Sequence, residues 1–222
     1  PPTRDKGLVG YWTFDGTGSI ANNQTTGLTD SSGKGNNGTA SNANGTGMSF
    51  ATGKKGNAIQ LDGTDDYLNA GTGSSLKIDD KSFTLSVWIK PSTNIPTGGR
   101  FTVISTYSPG WIMDLCDDTD SEFYRFVSGP ANYQYAPSGN LISLNWTHYV
   151  LVRNSASNKV YIYLDGVLKQ SYNGGAVTSS TNPFLVGKRQ DGYYFNGLID
   201  EARVYNRALS DTEVKTIYDA TK

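Results

Sequence analysis

Phe83-Thr84-Leu85-Ser86-Val87-Trp88-Ile89 alternates without a break, with Phe83, Leu85, Val87 and Ile89 on one side and Thr84, Ser86 and Trp88 on the other. Successive side chains of an extended chain point to opposite faces, so a period of two predicts a strand with a core side. Working outward, Val160, Ile162 and Leu164 alternate with Tyr161 and Tyr163. His148, Val150 and Val152 alternate with Tyr149, Leu151 and Arg153. Further strands are expected over 9–14, 58–61, 67–69, 101–106, 112–116, 123–127, 133–136, 184–186 and 198–205. Asp62-Gly63, Asp165-Gly166 and Asn173-Gly174 mark turns, and Asp165-Gly166 between two apolar runs is a hairpin signal. Many short strands punctuated in this way predict an all-β sandwich or barrel.

One short helix is expected at the end of the chain, over 211–219. Ser210-Asp211-Thr212-Glu213 matches a capping box, and Leu209 with Val214 fits the accompanying hydrophobic staple. The helix should lie on the sandwich and fix the C-terminus. Residues 16–57 read as a long loop rich in Gly, Asn, Thr and Ser. With no internal repeat and no linker, 1–222 is read as a single domain. Its abrupt start at Pro1-Pro2-Thr3 suggests a piece excised from a larger protein.

Composition narrows the function classes. A formal charge of −1 without a block of Lys and Arg does not point to nucleic acid or to an anionic membrane. No apolar run is long enough for membrane insertion as a helix. Cys116, the one cysteine, cannot form an internal disulfide, and the single His148 excludes a zinc site built on several histidines. His148 sits mid-strand and is read as a structural residue. The sequons at Asn23, Asn37, Asn44 and Asn145 are read as products of an Asn-, Gly- and Thr-rich composition.

The ending Gly197-Leu198-Ile199-Asp200-Glu201-Ala202-Arg203-Val204-Tyr205 poses a chemical question. In a regular strand Asp200 shares a face with Leu198, Ala202 and Val204, which places a carboxylate on a core-facing side. Such a group must be paired, protonated, metal-bound or hydrogen-bonded to backbone amides in a tight corner.

Several motifs together resemble the laminin-G-like jelly rolls of the concanavalin A-like lectin/glucanase superfamily. They are Gly10-Tyr11-Trp12-Thr13-Phe14-Asp15, Asp30-Ser31-Ser32-Gly33-Lys34-Gly35-Asn36-Asn37-Gly38-Thr39 and Ala58-Ile59-Gln60-Leu61-Asp62-Gly63-Thr64-Asp65-Asp66-Tyr67. The strand at Phe83, Trp146-Thr147-His148-Tyr149-Val150, Val160-Tyr161-Ile162-Tyr163-Leu164-Asp165-Gly166 and the ending above follow in the same order. The resemblance implies two antiparallel sheets of about six or seven strands each, packed face to face, with first and last strands adjacent. It also implies a structural calcium ion near the chain ends. Asp30, Gly33, Asn37 and Asp200 are the expected ligands, since calcium takes six to eight oxygens from carboxylates, amides and carbonyls.

Outside the core, Tyr107, Trp111, Asp114, Tyr124, Arg125, Tyr133 and Tyr135 crowd the middle of the chain. Arg189, Asp191, Tyr193, Tyr194 and Asn196 precede the last strand. A sugar needs an aromatic platform and polar groups for its hydroxyls. The expected ligand-binding residues are Tyr107, Trp111, Asp114, Arg125, Tyr133, Tyr135, Arg189, Tyr193 and Tyr194, with Trp111 exposed at a rim and Arg125 facing solvent. The paired carboxylates of a superfamily glucanase, Glu-x-Asp-x-x-Glu, are missing, as are a nucleophile elbow and a phosphate loop, so no catalytic residue is expected. The expectation is a non-catalytic, lectin-like module binding polysaccharide or glycan, monomeric within a multidomain bacterial protein and extracellular or at the cell surface. The same fold also serves protein interaction, adhesion or spacing.

Overall fold

The structure is a computed structural model that describes residues 5–45, 47–78, 81–106, 110–118, 121–128, 142–174 and 180–222, the side chains of 118, 121–123 and 126–128 excepted. The strands among these residues are β1 (Leu8–Trp12), β2 (Thr39–Ser41), β3 (Ser49–Thr52), β4 (Asn57–Asp62), β5 (Tyr67–Asn69), β6 (Phe83–Pro91) and β7 (Arg100–Ser105). They continue with β8 (Trp111–Asp118), β9 (Ser121–Ser128), β10 (Thr147–Asn154), β11 (Lys159–Leu164), β12 (Val167–Asn173), β13 (Leu185–Val186) and β14 (Asn196–Tyr205). One helix, α1 (Asp211–Thr221), follows. Two antiparallel sheets result. An eight-stranded sheet runs β12-β11-β10-β6-β14-β4-β3, with β1 also paired to β14. A six-stranded sheet runs β2-β5-β13-β7-β8-β9.

Alternation supplies the core between them. Phe83, Leu85, Val87 and Ile89 of β6 and Tyr149 and Leu151 of β10 face Val103 of β7 and Trp111, Met113 and Leu115 of β8. Trp111 stacks on Phe83 across the two sheets, with ring centroids 5.4 Å apart, and meets Phe184 edge-on at 5.8 Å. Trp111 is therefore a fully buried core residue, not a rim residue.

The opposite face of the eight-stranded sheet is covered too, by α1. Val150, Val152, Tyr163 and Tyr205 pack there against Leu209, Val214 and Ile217. The capping box is formed, with Ser210 Oγ accepting from the Glu213 amide and the Ser210 amide donating to the Glu213 carboxylate. Trp88 Nε1 donates to Thr221 Oγ1 at 2.8 Å, and the indole stacks on Tyr218. His148 lies in the same layer, with Nε2 2.9 Å from Ser86 Oγ. Burial lowers its pKa to about 3, so the imidazole stays neutral.

Two strands lie inside the stretch read as a long loop. β2 and β3 are short and carry little apolar sequence; β5 and β4 recruit them by backbone pairing. The expected strand over 133–136 lies outside the described residues.

Candidate functional site

The last strand carries a bulge that changes the reading of Asp200. Glu201 adopts φ +52°, and the pairing of β14 with β6 slips between Asp200 and Arg203. Ile199, Ala202 and Val204 face the inter-sheet core. A bulge adds one residue and resets the alternation. Asp200 is thereby placed opposite Trp88, on the helix-covered side of the sheet rather than on the core face. It is fully buried there, and its Oδ2 accepts from the amides of Lys54 and Lys55, both at 2.9 Å. These amides belong to the turn between β3 and β4. Asp15, in the segment that follows β1, grips the end of the same turn, with Oδ1 accepting from the Asn57 amide at 3.0 Å. The turn approaches both carboxylates closely. A Cβ on Gly53 would lie 2.7 Å from Asp200 Oδ2, and one on Gly56 would lie 2.0 Å from Asp15 Oδ1. The tight corner with backbone donors is what Asp200 serves.

Asp30 is occupied elsewhere. Its Oδ1 accepts from the amides of Tyr11 and Ser32, and its Oδ2 from Ser32 Oγ and the Asn36 amide, all at 2.8–2.9 Å. Asn37 Oδ1 accepts from the Asp30 amide. Gly33 turns the loop at φ +79°. Asp30 and Asn37 thus close their own loop, while Asp200 Oδ2 serves another turn. Asp30 is satisfied by three backbone amides and the Ser32 hydroxyl, whereas Asp200 Oδ1 is buried without a hydrogen-bond partner.

Burial raises the Asp200 pKa to about 7, against the amides of Lys55, Glu201 and Lys54 that favour the anion and with the Glu201 charge adding to the rise. In this state the native chain keeps a proton that the unfolded chain releases near pH 4. Stability from this group is then present at low pH and is lost as pH rises from about 4 to about 7, by up to about 1.4 kcal/mol per pH unit. His148 acts in the opposite sense. Its contribution is lost as pH falls from about 6.5 to about 3, because only the unfolded chain takes up the proton. Melting curves at pH 4, 5.5 and 7 should therefore show Asp200→Asn gaining on the parent as pH rises. Parallel curves would rule out a neutral Asp200.

The outer face of the six-stranded sheet gathers a different set of residues. In β8, Trp111, Met113 and Leu115 point to the core, which leaves Ile112, Asp114 and Cys116 on the other side. Arg125 of β9 pairs with Asp114 there. Its Nε and Nη2 donate to the two carboxylate oxygens at 2.8 and 2.5 Å, and both residues are buried. Arg125 does not face solvent as the sequence suggested; it is held inside a bidentate ion pair. Arg189 Nη1 stands 4.0 Å from the same carboxylate. Burial and the Asp114 charge push the Cys116 thiol far up, so it is unreactive.

Arg189 connects this pair to an exposed hairpin. The Arg189 amide donates to Tyr193 O, and the Gly192 amide to Arg189 O. Gly192, at φ +95°, makes the tip, a conformation that a side chain would strain. Asp191 folds back onto Arg189 in a bidentate pair, its Oδ2 accepting from Nη2 at 2.6 Å. Partial burial opposes ionisation of Asp191, but the Arg189 hydrogen bonds and charge hold its pKa below the ordinary value. The Arg189 guanidinium sits 4.2 Å from the Tyr193 ring centroid, and that of Arg100 sits 5.9 Å from it. Lys188 Nζ lies 4.2 Å from the Tyr67 centroid and 5.0 Å from that of Tyr194. Tyr67 and Tyr194 are themselves 6.5 Å apart. Tyr193 is exposed. On the same sheet, Thr102 Oγ1 and Arg100 Nη1 are buried without a hydrogen-bond partner.

Of the expected ligand residues, the structure brings together Asp114, Arg125, Arg189, Tyr193 and Tyr194, and removes Trp111 to the core. Tyr107, Tyr133 and Tyr135 lie outside the described residues. Tyr124 also belongs to the core, edge-on to Tyr149 with centroids 4.8 Å apart. Sequence reasoning missed Tyr67, Arg100, Thr102 and Lys188. The adjacency of Lys188 to Arg189 was the one signal available; the others arrive from distant strands.

A laminin G-type family model of the concanavalin A-like lectin/glucanases superfamily matches residues 62–215. The chain belongs to this family. Several solved structures share this architecture. Domain 4 of AbnA, a GH43 extracellular arabinanase from Geobacillus stearothermophilus solved with arabinotriose, superposes with a TM-score of 0.70 at 25% identity, covering 97% of this chain and 98% of that one. The binding domain of Paraclostridial Mosquitocidal Protein 1 gives 0.74 at 19% identity, over 98% of this chain and 53% of that one. The binding domain of Botulinum Neurotoxin DC, solved with SialylT, gives 0.66 at 14% identity, over 99% and 53%. The last two establish likeness of fold. Among curated proteins, a botulinum-like toxin, eBoNT/J, from Enterococcus sp. (strain 3G1_DIV0629) is 27% identical over 155 residues, which is 62% of this chain. The match spans 12% of that toxin's length.

Proposed function

We propose that this laminin-G-like domain is a non-catalytic carbohydrate-binding module of a larger secreted bacterial protein, and that it reads glycan with the hairpin 188–194 and the neighbouring Tyr67 side chain. The observation that carries the reading is the exposed Tyr193, with two guanidinium groups close to its ring. An aromatic face suits the C–H side of a sugar ring, and the surrounding donors suit its hydroxyls. Arg189, braced by Asp114 and Asp191, holds a fixed direction and needs little ordering on binding. The arabinotriose seen with the arabinanase domain and the SialylT seen with the neurotoxin domain support sugar as the ligand class. The extracellular arabinanase supports secretion.

Calorimetric titration with arabino-oligosaccharides, sialylated glycans and a wider polysaccharide panel tests this. Tyr193→Ala and Lys188→Ala should each weaken binding about tenfold, equivalent to about 1.4 kcal/mol, while the melting temperature stays within about 3 °C of the parent because both side chains lie at the surface. Silence across the panel, or unchanged affinity in both variants, would refute the assignment. A protein-interaction role has one supporting observation. Val167 and Leu168, exposed by 52% and 42%, lie side by side at the start of the edge strand β12, next to α1. Paired exposed aliphatics on an edge strand suit a protein partner, and they are the place to mutate if sugars fail.

A further inference from the structure

We propose that the turn between β4 and β5 is a calcium site, held by the carboxylates of Asp62, Asp65 and Asp66. One carboxylate oxygen from each of the three lies within 4.8 Å of the others. Oxygens bound to one calcium at 2.3–2.6 Å stand at most about 5 Å apart, a limit that the three oxygens meet.

The second observation is the state of the oxygens. Asp66 is fully buried; its Oδ2 accepts from the Asp62 amide at 3.0 Å, and its Oδ1 is buried with no hydrogen-bond partner. Asp65 Oδ2 accepts from the Asn44 amide at 2.6 Å, and Asp65 Oδ1 is likewise buried without a partner. Among the described residues, no Lys or Arg forms an ion pair with any of the three. A buried carboxylate oxygen with no donor is costly, and three carboxylates at this separation repel one another. A bound cation removes both penalties at once. In this it differs from Asp30, whose four donors leave no such need.

The donor set selects the ion. It is all oxygen, without imidazole or thiolate, which favours a hard cation over zinc or copper. Magnesium demands a near-octahedral shell and keeps most of its water, whereas calcium accepts irregular shells completed by backbone carbonyls and water. An ion here would brace the turn directly before Tyr67, whose ring carries Lys188.

The test is titration of calcium into the metal-stripped chain by calorimetry, alongside melting curves. One ion should bind, and calcium at about one hundred times its Kd should raise the melting temperature by about 5–10 °C. Asp65→Asn and Asp62→Asn, at half-buried positions, should each weaken calcium at least tenfold and abolish most of the rise, with the metal-free melting temperature little changed. Asp66→Asn should do the same if it folds, and the other two decide the matter if it does not. Asp200→Asn should leave calcium binding intact. Absence of calcium heat, unchanged binding in Asp65→Asn and Asp62→Asn, or loss of the ion in Asp200→Asn alone would each overturn the site. None of these readouts depends on sugar binding.

Discussion

Asp114→Ala should lower the stability of the fold by about 3–5 kcal/mol, a fall of roughly 6–20 °C in melting temperature for a chain of this size. The carboxylate is fully buried and holds Arg125 through two hydrogen bonds. Taking it away leaves a guanidinium desolvated between strands, with its principal counter-charge gone and Arg189 Nη1 deprived of the carboxylate 4.0 Å away. Arg125→Ala should cost a similar amount, for the reciprocal reason. Replacing both with apolar residues of similar size, Asp114→Leu with Arg125→Met, should recover most of the loss, because a buried pair gives little net stability over a well-packed apolar one. Guanidinium denaturation of the four proteins measures these differences. A single variant within 1 kcal/mol of the parent would show that the pair is not desolvated. Because Arg125→Ala should disturb the fold, a drop in sugar affinity in that variant would not by itself locate the ligand; Tyr193→Ala and Lys188→Ala carry that test.

Trp111→Ala should be comparably damaging, at about 3–5 kcal/mol. The indole belongs to the six-stranded sheet and stacks on Phe83 of the eight-stranded one, with Phe184 against its edge. Its removal opens a cavity between the layers that β6 and β8 cannot close without moving their whole hydrogen-bonded ladders. Trp111→Phe should retain much of the stability, since an aromatic ring is kept against Phe83 and less volume is lost. Chemical denaturation and near-ultraviolet circular dichroism would follow both variants. Loss of glycan binding in Trp111→Ala with an unaltered denaturation curve would contradict the core position and restore a ligand role.

The strands with clean alternation were legible in the sequence. Phe83 to Ile89, the run around His148 and the run from Val160 all take the faces their period of two assigns. The helix start was legible for a local reason as well. Ser210 and Glu213 satisfy each other's backbone amides within one turn, so no distant residue is needed to place that end. The family resemblance, spread over motifs in order, anticipated the two-sheet arrangement. The sugar-reading cluster was legible in part, since Arg189, Tyr193 and Tyr194 stand close together in the chain.

Other features required the tertiary structure. β2 and β3 have no apolar stripe of their own, and exist because β5 and β4 offer unpaired backbone groups. The bulge at Glu201 moves Asp200 to the opposite face from the one a regular strand predicts. Arg125 looked like a solvent-facing residue and Asp114 like a ligand residue, because charge usually marks the surface, whereas cross-strand pairing lets each neutralise the other inside. Tyr67, Arg100 and Lys188 converge from three strands or loops whose separations in the chain carry no hint of it. The sequence by itself determined which residues share a face of each strand, because that follows from backbone geometry within a few residues. Whether a face is covered, and by which partner, was decided only by tertiary structure, because burial depends on strands and helices that come from elsewhere in the chain.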